Sequence, residues 1–399
     1  MKSDYKNKYG KFNGNEAEYA LRVLDSESPQ NRGFPWVTEF EDKFCELSGA
    51  KYSIAVNSAT SGLHAALVAA EVGPGDEVIQ PALTVIMNSL VTIACGATPV
   101  FVDINPNTWN IDADSIRKKI TPKTKAIMAV SLFGLPLDIE PIMQLAKEFN
   151  LIVIDDSAET ITGNHKGKFP GTHADMAVYS FENKKHMSSG SEGGMVITSN
   201  PDLAKKVRKF SGIGYKNLTA SAGRTSLASS EFQNPEYERH DVLGLNYRMN
   251  AITAAIGLAQ LERIEFLVNR RISIGEMFTE AVMDCEYFVP QGHLENTTHT
   301  FYTFGVRYLG HKMRGISWKD FYNRYTSKGG NGFYSAWVNP YLEPVLKGKK
   351  MGSQIFDNGL CPIAEEYQKT IMLFKTNQRN PEEAKKDVKI LKDLIIEIG

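Results

Sequence analysis

Two adjacent lysines, Lys184 and Lys185, lie in a polar turn between two apolar segments of the chain. The first segment ends near Ser180, and a second strand is predicted to begin after Gly194. A lysine held between two core strands, with its pKa lowered by its surroundings, is suited to Schiff-base formation, because only the neutral amine attacks an aldehyde. A solvated turn that carries two lysines is the alternative that this stretch alone leaves open.

A second polar turn, Asn57-Ser-Ala-Thr-Ser-Gly62, follows a short predicted strand and precedes a predicted helix. Free backbone N–H groups, hydroxyls and the positive end of a helix dipole together favour a phosphate at such a turn. The same residues also suit a simple helix cap, in which Ser58 or Thr60 accepts a hydrogen bond from the first helical turn.

Two carboxylates, Asp155 and Asp156, directly follow an apolar strand. Because side chains alternate along a strand, the two point in opposite directions and only one can face a site. A buried aspartate needs a cationic or hydrogen-bonding partner, and a pyridinium nitrogen would be one. An aspartate that caps the following helix is the alternative.

Predicted strands and helices alternate through the first half of the chain, which indicates a parallel sheet covered by helices on both faces. Ligands of such sheets bind at the carboxyl ends of the strands, where the three turns above are expected. The composition changes near residue 272. We therefore predict an N-terminal arm or helix (residues 1–30), a large domain with a mainly parallel sheet (31–271) and a smaller α+β domain (272–399).

The overall composition excludes several classes of protein. The 399 residues carry 45 Lys and Arg against 46 Asp and Glu, a formal charge of -1, so no global charge favours nucleic acid or an anionic membrane. Four scattered cysteines and eight histidines lack CxxC and HExxH spacing, which predicts no disulfide and no metal. The sequence lacks a signal-like start and a long apolar run, so we expect a cytoplasmic protein.

Seven short motifs together resemble the DegT/DnrJ/EryC1/StrS family of sugar aminotransferases, which use pyridoxal phosphate (PLP) and have the type I aminotransferase fold. The resemblance covers nearly the whole chain, from Phe40 to the last helix. Each motif is weak evidence alone, but their order is specific: Asn57-Ser-Ala-Thr-Ser-Gly62, Gly73-Pro-Gly-Asp-Glu77, Phe133-Gly-Leu-Pro136, Val153-Ile-Asp-Asp-Ser-Ala-Glu159, Ser180-Phe with Lys185, Glu192-Gly-Gly194 and Asn246-Tyr-Arg-Met249.

The resemblance implies a role for each of seven residues. Lys185 matches the lysine that holds PLP covalently and moves the proton between substrate and cofactor. Asp156 matches the acid that keeps the pyridine nitrogen protonated. Glu159 falls near the cofactor's phenolic oxygen. The other positions correspond to contacts with the cofactor phosphate, from the same subunit or, for the last, from the partner of a homodimer: Ala59, Thr60, Ser180 and Asn246.

The spacing around the lysine turn departs from the family pattern. Counting forward from Ser180 places the nucleophile at Lys185, whereas counting back from Glu192 reaches His186, so the turn has one extra residue. Sugar 3-dehydratases of the family have histidine at this position. We favour Lys185, because the extra residue is easier to place within residues 188–191.

Other departures concern the cofactor ring and the sugar. Val85 stands where the family usually has an aromatic residue stacked on the PLP ring. Phe333-Tyr-Ser-Ala-Trp337 replaces a segment that commonly contains histidine, and Ser131 replaces another frequent histidine. These changes predict an atypical substrate.

Taken together, the sequence predicts an aminotransferase that takes an amino group from an amino acid, with L-glutamate as the expected donor, through the PMP form of the cofactor. The expected acceptor is a nucleotide-linked keto-sugar in surface polysaccharide or amino-sugar biosynthesis. A PLP- or PMP-dependent sugar 3-dehydratase using His186 and a non-catalytic PLP-fold regulator are the alternatives. A Rossmann-type nucleotide module is disfavoured, since no GxGxxG or P-loop motif follows a predicted strand.

Overall fold

A seven-stranded sheet forms the centre of the computed structural model, which describes residues 10–26, 33–221 and 229–399. The strand order is β1-β8-β7-β5-β4-β2-β3, and only β8 runs against the other six. The strands of the structure are β1 (Tyr52–Val56), β2 (Glu77–Pro81), β3 (Thr98–Val102), β4 (Thr124–Val130), β5 (Ile152–Asp156), β6 (Asn164–His165), β7 (Met176–Ser180), β8 (Gly194–Thr198), β9 (Phe288–Pro290), β10 (Thr297–Thr298), β11 (Thr303–Tyr308), β12 (Phe333–Ser335), β13 (Lys350–Met351), β14 (Gln354–Ile355) and β15 (Ile371–Lys375).

Several helices begin at a side-chain cap, as their sequences predict. Ser58 accepts a hydrogen bond from the Ser61 N–H, and Asn380 accepts one from the Glu382 N–H, just before a proline at the first helical position. The helices are α1 (Glu16–Leu24), α2 (Trp36–Ser48), α3 (Ala59–Ala69), α4 (Met87–Ala94), α5 (Ala113–Arg117), α6 (Ile139–Phe149), α7 (Pro201–Ser211), α8 (Ser229–Phe232), α9 (Ala251–Leu261), α10 (Ile264–Val282), α11 (Gly310–Met313), α12 (Trp318–Ser327), α13 (Pro362–Thr370) and α14 (Pro381–Ile398).

Helices cover both faces of the large sheet. Val178 of β7 packs on one face in a cluster that includes α3 and α7. Its neighbour Tyr179 packs on the other face with residues of α2 and α9. This alternation within one strand is what a sheet buried on both sides requires. The prediction of a mainly parallel α/β sheet covered by helices is confirmed.

The C-terminal part of the chain has its own antiparallel sheet, in the order β12-β15-β11-β9. Its core includes residues of α10, α12 and α14. Helix α10 contributes to two cores, since Leu267 and Val268 pack with the large sheet and Ile274 and Phe278 with the small one. The predicted boundary at residue 272 therefore falls inside this helix, and the three-part division of the chain stays a prediction.

The predicted N-terminal arm and the polar segment at 213–240 are only partly covered by the described residues. Helix α1 lies within the predicted arm, while residues 1–9 and 27–32 are outside the described residues. Residues 213–240 are polar and too many for a routine connection, so the sequence predicts a functional or inter-subunit loop there, and this segment includes the undescribed residues 222–228. None of the described helices combines the length and apolar character needed to cross a bilayer.

Candidate active site

Lys185 lies in the turn between β7 and β8, and its side chain is mostly buried, with 15% of its surface exposed. The Nζ atom is 3.2 Å from Oε1 of Glu159. It also lies 4.2 Å from the ring centre of Tyr302, a distance suited to a cation–π contact. Strand β7 and the turn after β5 therefore bring together Lys185 and Glu159, which are 26 residues apart in the chain.

The electrostatics of Lys185 differ from the expectation of a lowered pKa. Burial by itself lowers the pKa of the amine, but the negative charge of Glu159 and the contributions of Tyr302 and Asp156 outweigh it and raise the pKa above its usual value. The prediction was therefore wrong in sign. The neighbouring carboxylate stabilises the ammonium form, so a proton must leave Lys185 before the amine can attack a carbonyl carbon.

Glu159 is held as an acceptor for that proton. Its Oε1 accepts the hydrogen bond from Lys185, and its Oε2 accepts one from the Phe133 N–H at 3.0 Å. Phe133 has φ +58°, the left-handed region, and precedes Gly134 at φ +105°. This strained turn after β4 aims a backbone N–H at the carboxylate and keeps it beside Lys185.

The two aspartates at the end of β5 have different partners, as strand alternation predicts. Asp156 Oδ2 accepts a hydrogen bond from Nδ2 of Asn88 at 3.0 Å. Asp155 Oδ1 accepts one from the Ser131 hydroxyl at 3.1 Å. Burial raises the pKa of both carboxyls, that of Asp155 to about 7, while the Asn88 hydrogen bond and the Lys185 charge oppose the shift at Asp156. Only Asp156 is coupled to Lys185 in this way.

The polar turn that begins at Asn57 combines both roles considered for it. Ser58 caps α3, and Ala59 and Thr60 form the first helical turn, half-buried and exposed respectively. Gly194 lies directly behind this turn, since a Cβ there would come 2.7 Å from the Ala59 nitrogen. Ser180 is paired with Gly194 across β7 and β8, so Ser180 and the helix N-terminus are neighbours. The N-terminus of α3 and the hydroxyl-bearing Ser180 therefore lie next to each other at the end of β7.

Asn246 belongs to a segment that lies beside this turn, because the next residue, Tyr247, accepts a hydrogen bond from the Asn57 N–H at 2.8 Å through its carbonyl oxygen. Asn246 itself is exposed, and its Oδ1 accepts a hydrogen bond from Nε of Arg248 at 3.1 Å. Its backbone pairs with Gly212 at the end of α7. Within the described part of the chain, Asn246 forms no hydrogen bond with Lys185, Asp156 or Ser180.

The side chain of His186 has a different partner from that of Lys185. Its Nε2 donates a hydrogen bond to the Thr300 carbonyl oxygen at 2.9 Å, and the side chain is buried. Burial and the charge of Arg271 lower the pKa of the imidazole well below its usual value. The residues that follow His186, Met187 to Ser189, are buried and precede the left-handed Gly190, and the placement of the extra residue within 188–191 stays a prediction. Of the two residues, it is Lys185 that faces the carboxylates.

Several residues around the site were missed from the sequence. Asn88, in α4, and Tyr302, just before β11, come from segments distant in the chain from the lysine turn, and their patterns predicted only a helix and a strand. Arg271 carries no motif in the sequence, yet it donates hydrogen bonds to the carbonyl oxygens of Lys184, Lys185 and Tyr302. Contacts of this kind depend on the tertiary fold and leave no local signal.

A cavity of about 340 Å³ opens beside the lysine turn. Lys184, Arg271 and Lys375 give its lining positive charge, and Tyr302, Tyr334 and Trp337 give it aromatic surface. The segment Phe333 to Trp337, which departs from the family pattern, is thus divided between two roles. Phe333 packs in the small-domain core, whereas Tyr334 and Trp337 line the cavity.

Potential metal ligands meet at a different place. Ligand atoms of Asp138, Glu140 and His165 lie within 4.8 Å of one another. The ammonium of Lys166 forms an ion pair with Glu140 there and supplies positive charge to the cluster. We assign no metal chemistry to it.

The family model that matches this sequence is the DegT/DnrJ/EryC1/StrS aminotransferase family, over residues 11–323. The chain belongs to this family. The enzymes of the family are PLP-dependent sugar aminotransferases, and the predicted activity and cofactor are confirmed at this level.

Named relatives and solved structures agree with this membership. The chain is 39% identical to a GDP-perosamine synthase of Caulobacter vibrioides over 298 residues, 74% of this chain and 75% of the relative. It is 40% identical to a GDP-perosamine synthase of Escherichia coli O157:H7 over 269 residues, 67% and 69% of the two chains. The aminotransferase of Psychrobacter cryohalolentis has a similar structure, with a TM-score of 0.85 at 28% identity, covering 96% of this chain and 97% of that one.

The residues of the site fit PLP. A pyridine nitrogen needs a buried acid, an aldehyde needs an amine, and a phosphate needs N–H and hydroxyl donors. Asp156, Lys185 and the α3 N-terminus with Ser180 supply these groups. The buried Oδ1 of Asn88, whose Nδ2 donates a hydrogen bond to Asp156, also has no hydrogen-bond partner among the described residues, as expected where a polar ligand belongs.

Proposed function

We propose that this enzyme transfers an amino group from L-glutamate to the keto carbon of a GDP-linked sugar, giving GDP-perosamine or a closely related amino sugar. Relatives that are 39 and 40% identical bear the name GDP-perosamine synthase. The observation that carries the proposal is the position of Lys185 Nζ, between Glu159 and Tyr302 and beside a cationic, aromatic cavity. The reaction belongs to amino-sugar biosynthesis, and we place it in the cytoplasm.

In this reaction, three residues of the chain have distinct roles. PLP, when bound, supplies a ring that accepts the electrons of the bond being broken, and its amino form carries the nitrogen between substrates. Asp156 keeps the ring nitrogen protonated. Lys185 binds the cofactor and moves the proton at the reacting carbon, and Glu159 accepts the proton that Lys185 must lose.

Ala59, Thr60 and Ser180 bind the cofactor phosphate in this proposal. The N-terminus of α3 offers N–H donors and the positive end of the helix dipole, and Ser180 offers a hydroxyl from the adjacent strand end. Gly194 permits this arrangement, because any larger side chain would collide with the turn.

The cavity beside Lys184 suits a nucleotide-linked sugar. Lys184 and Lys375 both lie near the Tyr334 ring, with Nζ atoms 5.9 and 5.2 Å from its centre. Cations bind a diphosphate, and aromatic faces stack against a base or a sugar ring. Trp337 is held by stacking on Phe133, with ring centres 5.6 Å apart. The cavity therefore offers recognition for both parts of such a substrate.

A homodimer completes the site in our proposal. Asn246 would reach the phosphate in the partner subunit's site, which is consistent with its exposure in a single chain. The surrounding segment exposes large apolar side chains: Leu243 at 96%, Leu245 at 45% and Ile252 at 38%. Such exposure in one segment is typical of a surface that is covered by another protein.

The test is the visible absorbance of the protein with PLP, before and after addition of glutamate. We expect a cofactor band in the wild type that glutamate bleaches, no such band in Lys185→Ala, and a retained band in the matched control Lys184→Ala. The wild type should then aminate a GDP-linked keto-sugar in preference to its UDP-linked counterpart. A wild type that ignores glutamate would instead favour the dehydratase or the regulator.

A further inference from the structure

Lys11, in the segment before α1, is buried against the turn that carries Lys185. Only 8% of its surface is exposed, an unusual location for a lysine. Its Nζ donates hydrogen bonds to the carbonyl oxygens of Asn183, at 2.6 Å, and of Lys185, at 3.0 Å. An N-terminal residue thus contacts the backbone of the nucleophile directly, although 174 positions separate the two in the sequence.

Arg271 reinforces the same backbone from α10. Its guanidinium donates hydrogen bonds to the carbonyl oxygens of Lys184, at 2.6 Å, and of Lys185, at 2.9 Å. Three consecutive carbonyl groups therefore accept hydrogen bonds from two buried cations, and the Lys185 carbonyl accepts from both. Hydrogen bonds to charged donors are about twice as strong as neutral ones, so the backbone of this turn is firmly held.

Lys11 is itself fixed by helices of the large domain. Its carbonyl oxygen accepts hydrogen bonds from Gln260 Nε2, at 2.9 Å, and from Arg263, at 3.3 Å. The fully buried Gln260 also accepts a hydrogen bond from the Ser188 N–H at 3.2 Å. The network therefore forms hydrogen bonds with the turn before Lys185, at Asn183, and after it, at Ser188, and connects the turn to α9.

Packing alone does not account for an amine at this position. Burial, together with Arg271 and other nearby charges, lowers the pKa of Lys11 to about 7, which means that the charged form is destabilised here. A methionine of similar length would fill the same space without that penalty. What methionine lacks is a donor for the two carbonyl groups.

We propose that Lys11 is a positioning residue for catalysis: its hydrogen bonds to the turn hold the backbone of Lys185 so that the amine stays aimed between Glu159 and Tyr302. The inference rests on the proposed role of Lys185. Because displacing a reacting group by about 1 Å can cost about 100-fold in rate, a loosened turn would slow the chemical step. Substrate recognition in the cavity would be little affected.

The test compares Lys11→Met, which keeps the length and removes the donor, with Lys11→Gln, which keeps a donor. Lys43→Met is the matched control, since Lys43 is an exposed lysine paired with Glu46. Each variant is assayed for kcat and KM, for the pH midpoint of the bound-cofactor absorbance, and for the melting temperature of the cofactor-free protein. The charged groups that act on Lys11 and must be kept constant are Glu182, Arg270, Arg271 and Arg379.

We expect Lys11→Met to lower kcat about tenfold, to leave KM within about twofold, and to raise the pH midpoint of the cofactor band by about half a unit, because a cation near Lys185 is lost. Lys11→Gln should recover part of kcat, and Lys43→Met should match the wild type. If the Lys11→Met protein folds and has the kcat and the pH midpoint of the cofactor band of the wild type, the inference is overturned. If Lys11→Met does not fold, a Lys11→Gln protein with wild-type kcat and midpoint overturns it equally.

The result also separates this inference from the proposed function. Full activity in Lys185→Ala would remove the proposed nucleophile itself. An inactive Lys185→Ala together with a wild-type-like Lys11→Met would remove only the positioning role of Lys11.

Discussion

The two halves of the candidate site differ in how completely one chain builds them. Around Lys185 the functional groups are enclosed, with Asp156 at 3% and Glu159 at 5% exposure and with backbone and side-chain partners in place. On the phosphate side, Thr60 and Asn246 are exposed. The segment that carries Asn246 also presents Leu243, which is 96% exposed.

This difference separates two tasks. The chemistry of proton transfer needs fixed positions and a low dielectric, which a single chain provides through its own sheet and turns. In our proposal a second copy of the chain closes the phosphate side, and the exposed apolar segment is the surface that it would cover. The following experiments test each half separately.

The largest effect is expected for Lys185→Arg. Arginine keeps the positive charge beside Glu159 but cannot lose its proton, so it cannot act as a nucleophile or a base. We expect turnover to fall by about 10⁴-fold or more, measured as amino-sugar formation. The contacts with the cofactor phosphate should survive, so the affinity for PLP, measured by equilibrium dialysis, should fall far less than turnover. Turnover near that of the wild type would contradict the role of Lys185 as nucleophile and base.

Asp156→Asn should have the next largest effect, with Asp155→Asn as its neighbour control. Only Asp156 is coupled to Lys185 and bonded to Asn88. An amide cannot hold the proton on a ring nitrogen, so we expect a loss of about 100-fold in kcat. Asp155→Asn should stay within about threefold, because its partner is Ser131 on the other face of β5. Equal losses in the two variants would contradict the assignment.

These two aspartates also show what the sequence could predict. Strand alternation indicates that only one of them faces the site, and the apolar spacing of the sequence predicts a strand at 98–102 and helices at 139–149, 318–327 and 381–398, which are the bounds of β3, α6, α12 and α14. The motif order indicated the family. Such features are local, since each depends on residues that are close together in the chain.

What was missed depends on distant residues. Strand β15 lies at the centre of the small sheet but follows α13 without a turn, so its short apolar run gave no strand signal. Asn88 and Tyr302 reach the site only through the tertiary fold. The pKa of Lys185 was predicted with the wrong sign for the same reason, because the carboxylate 3.2 Å away belongs to Glu159, in the turn after β5, which is distant in the chain.

A complementation experiment tests the open half. We expect Asn246→Ala to lower activity about tenfold through loss of a phosphate hydrogen bond. When Asn246→Ala and Lys185→Ala chains are mixed and allowed to exchange, half of the dimers are hybrids with one intact site each. Activity should then recover to about a quarter of the wild-type value, well above either parent. A chain that carries both changes should show no recovery, because its dimers contain no intact site. If mixing the two single variants restores no activity, Asn246 acts within its own subunit.

The smallest effect concerns stability and shows how firmly the enclosed half is buried. The pKa of Asp155 is raised to about 7 by burial, so the folded protein holds a proton that the unfolded chain releases near pH 4. The folded state therefore loses stability from this group as the pH rises from about 4 to 7, and the loss is constant above that range. Asp155→Asn removes this dependence.

Relative to the wild type, the unfolding free energy of Asp155→Asn should rise by about 3 kcal/mol between pH 5 and pH 8. Urea unfolding curves of both proteins at several pH values measure this difference directly. Parallel behaviour of the two proteins would mean that the carboxyl of Asp155 is already ionised when folded. In that case the interior beside β5 would be more polar than its 2% exposure indicates, and the contrast between an enclosed and an open half would weaken.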